Sequence, residues 1–370
     1  MKVKNNYNEC LTNLACSIRK YFELSYRHNT LSYIDEILDK EQPTNVVLML
    51  LDGMGSNIID RALDKDSFFI KNRLKKITTV FPATTTAATT SIRTGLNPVE
   101  HGMMGWNTYI YPIDKTITLF KGTEKETGEV SEEFKQVKDK LLTKSISEDI
   151  NEVGKYKSLE LFPFPAGKAV VYNDLDEMMN IILEETSKEG KKFIYAYNDE
   201  PDHTMHEYGP DSKEARNLII ERNNKVESLS EKLKDTLLIV VADHGHLKVD
   251  NIYLNDYKEI INMMERTTSL EPRAVSFKIK EEYKNIFPDV FNKEFKDYFT
   301  LYTKEDVKES HLFGDGIENE LFDKALGDFL AIGDKSNKCL LTDGDETLYS
   351  QHAGYTEDEI EVPLILKLKK

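Results

Sequence analysis

Cysteine is scarce in this chain: three residues, Cys10, Cys16 and Cys339, among 370. Their spacing fits neither a disulfide framework nor a cysteine-rich zinc site. Long apolar runs are also missing, and no stretch approaches the ~18 residues of a membrane span. The opening segment, MKVKNNYNECLTNLACSIRKYF, carries charge but no apolar region ending at a small-residue cleavage site. No secretory signal is therefore expected, and the default is a cytoplasmic protein without a transmembrane segment. A basic surplus is absent too, since the formal net charge is −16. That excludes a general nucleic-acid binder, which needs a cationic footprint. An anionic small substrate stays open, because bound metal ions invert the local field.

What is present is an alternation of apolar runs and helical patterns. Asn45 to Leu51 (NVVLMLL) reads as a strand buried on both faces, ending in Asp52-Gly53-Met54-Gly55. Lys75 to Phe81, Ala169 to Tyr172, Lys192 to Tyr197 and Thr236 to Val241 are further strands. Helices are expected within ATTTAATTSIRTG, whose threonines are N-cap candidates, over Met178 to Thr186 and over Ser212 to Leu233. Such alternation predicts a mostly parallel sheet covered on both faces, with ligands outside the carboxyl ends of the strands. Residues 1–40 read as helices packed on that body. From 254 to 333 the chain turns lysine-rich, acidic and aromatic. That stretch reads as an inserted cap subdomain, with strands Ala274 to Ile279, Tyr298 to Tyr302 and Phe329 to Ile332 and helices Glu281 to Phe287 and Leu321 to Ala325. The core then spans 41–253 and 334–370, closing on a strand from Val362 to Leu368.

The strand ends carry an unusual set of side chains. Asp202 and His206 sit four apart in PDHTMHEYGPD, on one face if the segment is helical. Asp243 and His244 follow the apolar run before Gly245, with His246 beyond, able to touch substrate or orient a ligand. Asp52 ends the first strand, and His352 lies in QHAGY. Each has an ordinary structural explanation alone; ligand-type residues at four strand ends together point to a metal centre. A nucleophile is offered by FPATTT, where Thr84, Thr85 or Thr86 would stand at a helix N-terminus. Asn107 is a candidate donor to a phosphoryl oxygen, and Trp106 or Tyr109 a candidate stacking surface. Arg273, Lys304 and His311 are the insertion's candidates for a substrate tail.

The pieces LLDGMG, VFPATTTAATTSIRTGLNPVEHGMMG, NDEPDHTMHEYGPD, VVADHGH and QHAGYTEDEIEVPLIL resemble, in order, the type I phosphodiesterase/nucleotide pyrophosphatase family of the alkaline phosphatase superfamily. The resemblance implies a three-layer α/β/α core with a mostly parallel central sheet and an inserted small α+β cap. It implies two divalent metal ions, zinc (Zn2+) with manganese (Mn2+) as the alternative. One would be held by Asp202, His206 and His352, the other by Asp52, Asp243 and His244. Thr85 takes the nucleophile's place, and Trp106 and Asn107 fall at the family's phosphate contact; His246, from its position alone, joins them as a substrate-contact candidate. The implied reaction is hydrolysis of a phosphodiester or nucleotide pyrophosphate bond through a phospho-threonine intermediate, on a small phosphorylated substrate. The sequence departs from the better-known nucleotide pyrophosphatases at Thr84, at Thr86-Ala87-Ala88 and at Trp106, which fills the place of the family's Asn. The alternatives are a phosphomonoesterase or phosphonate hydrolase on the same centre, or a zinc-stabilised binding protein.

Overall fold

The computed structural model describes residues 5–141 and 143–370. Its central sheet has seven strands, in the spatial order Arg73–Thr78, Glu361–Lys369, Thr236–Val241, Asn45–Leu51, Lys192–Asn198, Lys157–Phe162 and Val170–Val171. The strands run parallel except Glu361–Lys369, which is antiparallel to both neighbours. All seven residues of Asn45–Leu51 are buried, as expected for a central strand covered by helices on both faces. Each large apolar side chain so buried contributes roughly 1.5–3 kcal/mol. The helices Leu11–Tyr21 and Ser32–Glu41 put Leu11, Leu14, Ile18, Ile34 and Leu38 into this same core. The first of them lies against the helix Thr85–Thr94, where the Cys16 thiol meets the Gly95 carbonyl.

A second, antiparallel sheet also has seven strands: Thr300–Thr303, Phe329–Ile332, Ala274–Phe277, Ser269–Glu271, Asn107–Ile110, Lys115–Thr118 and Thr123–Glu124. It joins chain from 107–124 to chain from 269–332. Asn107 pairs with Leu270 at the seam. An aromatic core of Phe277, Phe287, Phe291, Phe295, Phe299 and Phe329 packs against it. The expected helix from Glu281 to Phe287 is instead one tight turn, Glu281–Tyr283, followed by a helix over Phe287–Phe295. The reason is Pro288: it suits the first turn of a helix and cannot sit inside one. Among the described residues, no helix is long and apolar enough to cross a membrane.

Candidate active site

Four loops meet at the carboxyl ends of the central strands. Asp52 follows Asn45–Leu51 directly, and Gly53 turns the chain with φ +70°. A side chain at Gly53 would strike Met205, Asp202 and His246 at about 3 Å, so this loop must lie flat against the next. The N–H of Gly53 donates to Asp243 Oδ1 at 3.0 Å, which ties the first loop to the third. Asp202 and His206 occupy a short helix, Asp202–Tyr208, and the i,i+4 spacing sets His206 Nε2 3.4 Å from Asp202 Oδ2. His203 points outward, with its side chain 71% exposed. Asp243 and His244 follow Thr236–Val241, and Gly245 crosses Gly55 and the Asp358 carbonyl too closely for any side chain. His352 follows the short strand Ser350–Gln351, and the buried Ala353 behind it has φ +81°. That left-handed conformation costs a non-glycine residue of order 1 kcal/mol or more, held here by its surroundings.

The side chains form two adjacent groups with ligand atoms mutually within 4.8 Å: Asp52, Asp243 and His244, and Asp202, His244, His246 and His352. His206 stands beside the second group through Asp202 and stacks edge-on against His246 at 4.6 Å. The hydrogen bonding suits metal ions. His206 Nδ1 faces the Ser350 carbonyl at 2.8 Å, His244 Nδ1 the Gly245 carbonyl at 3.1 Å, and His352 Nδ1 the Ala83 carbonyl at 3.0 Å. A carbonyl only accepts, so each Nδ1 carries the proton and each Nε2 is left bare toward the centre. Asp243 Oδ2 is buried and has no hydrogen-bond partner among the described residues. A buried, unpaired carboxylate oxygen is costly unless a cation meets it.

The charges point the same way. Burial, then the Asp243 and Asp202 carboxylates, push the Asp52 carboxyl well above the usual carboxylate range. Burial also opposes ionisation of Asp202, yet the imidazoles of His206 and His246, then His244, hold it well below that range. Burial and the neighbouring imidazoles drive His352 well down. Cations between these groups would relieve carboxylate repulsion and imidazole crowding together.

Of the three candidate threonines, Thr85 meets the cluster. It opens the helix Thr85–Thr94, and its Oγ1 lies 3.1 Å from His244 Nε2 and 3.5 Å from Asp52 Oδ1. The Thr84 hydroxyl goes to Glu271 instead, and the Thr86 hydroxyl is buried with no hydrogen-bond partner among the described residues. Thr89, Thr90 and Thr94 spend theirs on carbonyls four residues back.

Glu271 had no signal in the sequence. It is one acidic residue in a lysine- and glutamate-rich stretch, and only the fold brings it here. Its Oε1 accepts from the Thr84 hydroxyl and from the Trp106 N–H, both at 2.6 Å. The second sheet is thereby fastened to the start of the Thr85 helix. Burial pushes the Glu271 carboxyl up to about 7, against the pull of those two donors. Trp106 stacks on Phe120 at 5.5 Å with Lys121 beside its ring, forming a half-exposed aromatic platform. Asn107 takes the Thr118 hydroxyl on its oxygen and turns its nitrogen to Asp345. The Tyr109 ring is covered by the Arg266 guanidinium at 3.4 Å. The three cations or imidazoles expected at a substrate tail are engaged elsewhere. Arg273 is fully buried against Glu359, Lys304 holds Asp323, and His311 pairs with Asp315 at the surface.

Fold and site together define a metal-dependent hydrolase with a two-metal cluster and a phosphoesterase-like centre around Thr85, Asp52 and His244. The model of the type I phosphodiesterase / nucleotide pyrophosphatase family matches residues 46–146 and 133–356. The chain belongs to that family, within the alkaline-phosphatase-like superfamily. No curated protein matches it in sequence. Among solved structures, human ectonucleotide pyrophosphatase / phosphodiesterase 5 shares 19% identity and a TM-score of 0.65, over 87% of this chain and 87% of that one. The murine protein gives 19% and 0.64, over 86% and 87%. An inactive murine form in complex with AMP gives 18% and 0.63, over 86% and 87%. At these identities the structures speak for the fold.

Proposed function

We propose that this protein hydrolyses a phosphodiester or nucleotide pyrophosphate bond through a phospho-threonine intermediate on Thr85. The observation that carries the reading is the placement of the Thr85 hydroxyl, 3.1 Å from His244 Nε2 at the edge of the Asp52–Asp243–His244 group. Asp52, Asp243 and His244 would hold one ion, and Asp202, His206 and His352 the other. Mixed imidazole and carboxylate donors suit zinc, with manganese as the alternative. When bound, the ions would supply Lewis-acid charge that favours the threonine alkoxide and neutralises the phosphoryl oxygens.

The chain's own residues do the rest. The helix N-terminus at Thr85 offers backbone N–H groups to the phosphoryl group. The Thr85 oxygen gives up its proton and forms a bond to phosphorus as the bond to the leaving oxygen breaks, and the leaving group departs with a proton on that oxygen. Water then attacks the same phosphorus and returns Thr85 as its hydroxyl. Tyr197 donates to Asp52 and holds that carboxylate in place. Trp106 and Phe120 would stack on a planar leaving group, and a nucleotide fits that platform, as the AMP complex of the murine relative also suggests. His246 and Asn107 complete the proposed surroundings of the substrate.

Arg93 supports a singly charged diester over a doubly charged monoester. It is the basic residue of the Thr85 helix, and its guanidinium is committed to Glu160 at 2.7 Å. Paired aryl phosphates test the reading: a diester and a monoester of one phenol, assayed with zinc and with chelator. Metal-dependent turnover that favours the diester is expected. Faster monoester turnover would move the assignment to a phosphomonoesterase.

A further inference from the structure

Ser350 backs two imidazoles at once. Its carbonyl oxygen takes Nδ1–H of His206 at 2.8 Å, and its hydroxyl oxygen lies 3.0 Å from Nδ1 of His246. The serine's single hydroxyl proton is committed to the Met205 carbonyl at 2.6 Å, an oxygen that can only accept. Nδ1 of His246 must therefore be the donor to Ser350, which leaves its Nε2 bare in the neutral ring. That bare nitrogen faces Asp202 Oδ1, as the bare Nε2 of His206 faces Asp202 Oδ2 at 3.4 Å. Two acceptors in contact repel unless a cation joins them. A ring nitrogen of His246 also lies within 4.8 Å of the ligand atoms of Asp202, His244 and His352. The ring is fully buried.

We infer that His246 is a protein ligand of the ion on the Asp202 side, a role equivalent to that of His206 and set by the same serine. The inference rests on the two-ion reading above and adds a donor to it. The Asp202 side then offers three imidazoles and one carboxylate. The Asp52 side offers one imidazole and two carboxylates. Such unlike sets make unlike demands: nitrogen-rich donors favour zinc or cobalt, while the oxygen-rich set admits manganese more readily. The Asp202 site is thus the tighter and more selective of the two.

The test is titration of metal-free protein with Co2+, followed by calorimetry and by the visible spectrum, which reports ligand number and geometry. Wild type should take two equivalents of unequal affinity. His246→Gln keeps an amide donor for Asp202 but lacks the imidazole nitrogen. It should weaken one equivalent by at least about 100-fold and alter that ion's spectrum, leaving the other equivalent unchanged. His246→Cys, which can ligate, should restore much of the affinity. A folded His246→Gln protein with wild-type affinities and spectrum would overturn the inference, because a ring that only orients Asp202 is replaced by the amide. Fewer than two equivalents in wild type would count against the two-ion reading separately. The comparison on whichever ion binds still decides His246.

Discussion

The Thr85 hydroxyl oxygen stands 3.1 Å from Nε2 of His244. Because Nδ1 of that ring donates to the Gly245 carbonyl, the bare nitrogen is the one that would hold the ion, and the Thr85 hydroxyl stands beside that position. Thr85→Ala should therefore lower hydrolysis at least about 10³-fold while leaving two bound ions per chain. Thr84→Ala and Thr86→Ala should cost far less, since neither hydroxyl meets the cluster. Steady-state rates beside elemental analysis check this.

Metal removal should destabilise the fold as well as stop turnover. Asp52, Asp243 and His244 are buried together, and Asp243 Oδ2 has no hydrogen-bond partner among the described residues. An ion bound at about 1,000 times its dissociation constant adds about 4 kcal/mol to the folded state. Scanning calorimetry with and without chelator should show a clear drop in melting temperature. An unchanged melt after complete removal would count against this account of the buried carboxylates.

Glu271 should give the protein a recognisable pH dependence. Its carboxyl is raised from 4.5 to about 7, so between those values the folded state holds a proton that the unfolded chain has released. Stability from this group therefore falls as pH rises through the window and levels off above about 7. Full ionisation costs on the order of 3 kcal/mol. Glu271→Gln keeps an oxygen for Thr84 and Trp106 without the charge. The stability difference between variant and wild type, measured by urea unfolding, should grow in favour of the variant from pH 5 to pH 8.

Arg273 and Glu359 form a buried pair at 2.6 Å that fastens two loops of the site. Glu359 also accepts from the N–H groups of Gly354 and Thr356, just beyond His352, and its carbonyl takes the N–H of Gly245. Removing one partner leaves the other charge buried, at a cost of about 3–5 kcal/mol. Glu359→Gln should lower the urea midpoint and weaken metal binding together. Lys304→Ala, at a partly exposed pair, should do neither.

These cases also mark what was legible in the sequence. Thr236 to Val241 and Phe329 to Ile332 announce their strands through unbroken apolar, β-branched runs, and the structure places them at those residues. The Asp/His pairs were visible because each closes such a run. Glu271 was not, because its partners Thr84 and Trp106 lie 187 and 165 residues away and no periodicity encodes that meeting. Arg273 read as a candidate for a substrate tail for the same reason. Its burial depends on Glu359, 86 residues on. The shared sheet was hidden too, since Asn107–Ile110 and Ser269–Glu271 are short strands from distant stretches.

The most direct measurement of the central claim is acid quenching during turnover of an aryl phosphodiester by the zinc-loaded protein, followed by peptide mass mapping. The account predicts a phosphoryl adduct on Thr85, absent with chelator and absent in Thr85→Ala. Turnover of the diester by Thr85→Ala at the wild-type rate, with no adduct on Thr85 in the native chain, would contradict it.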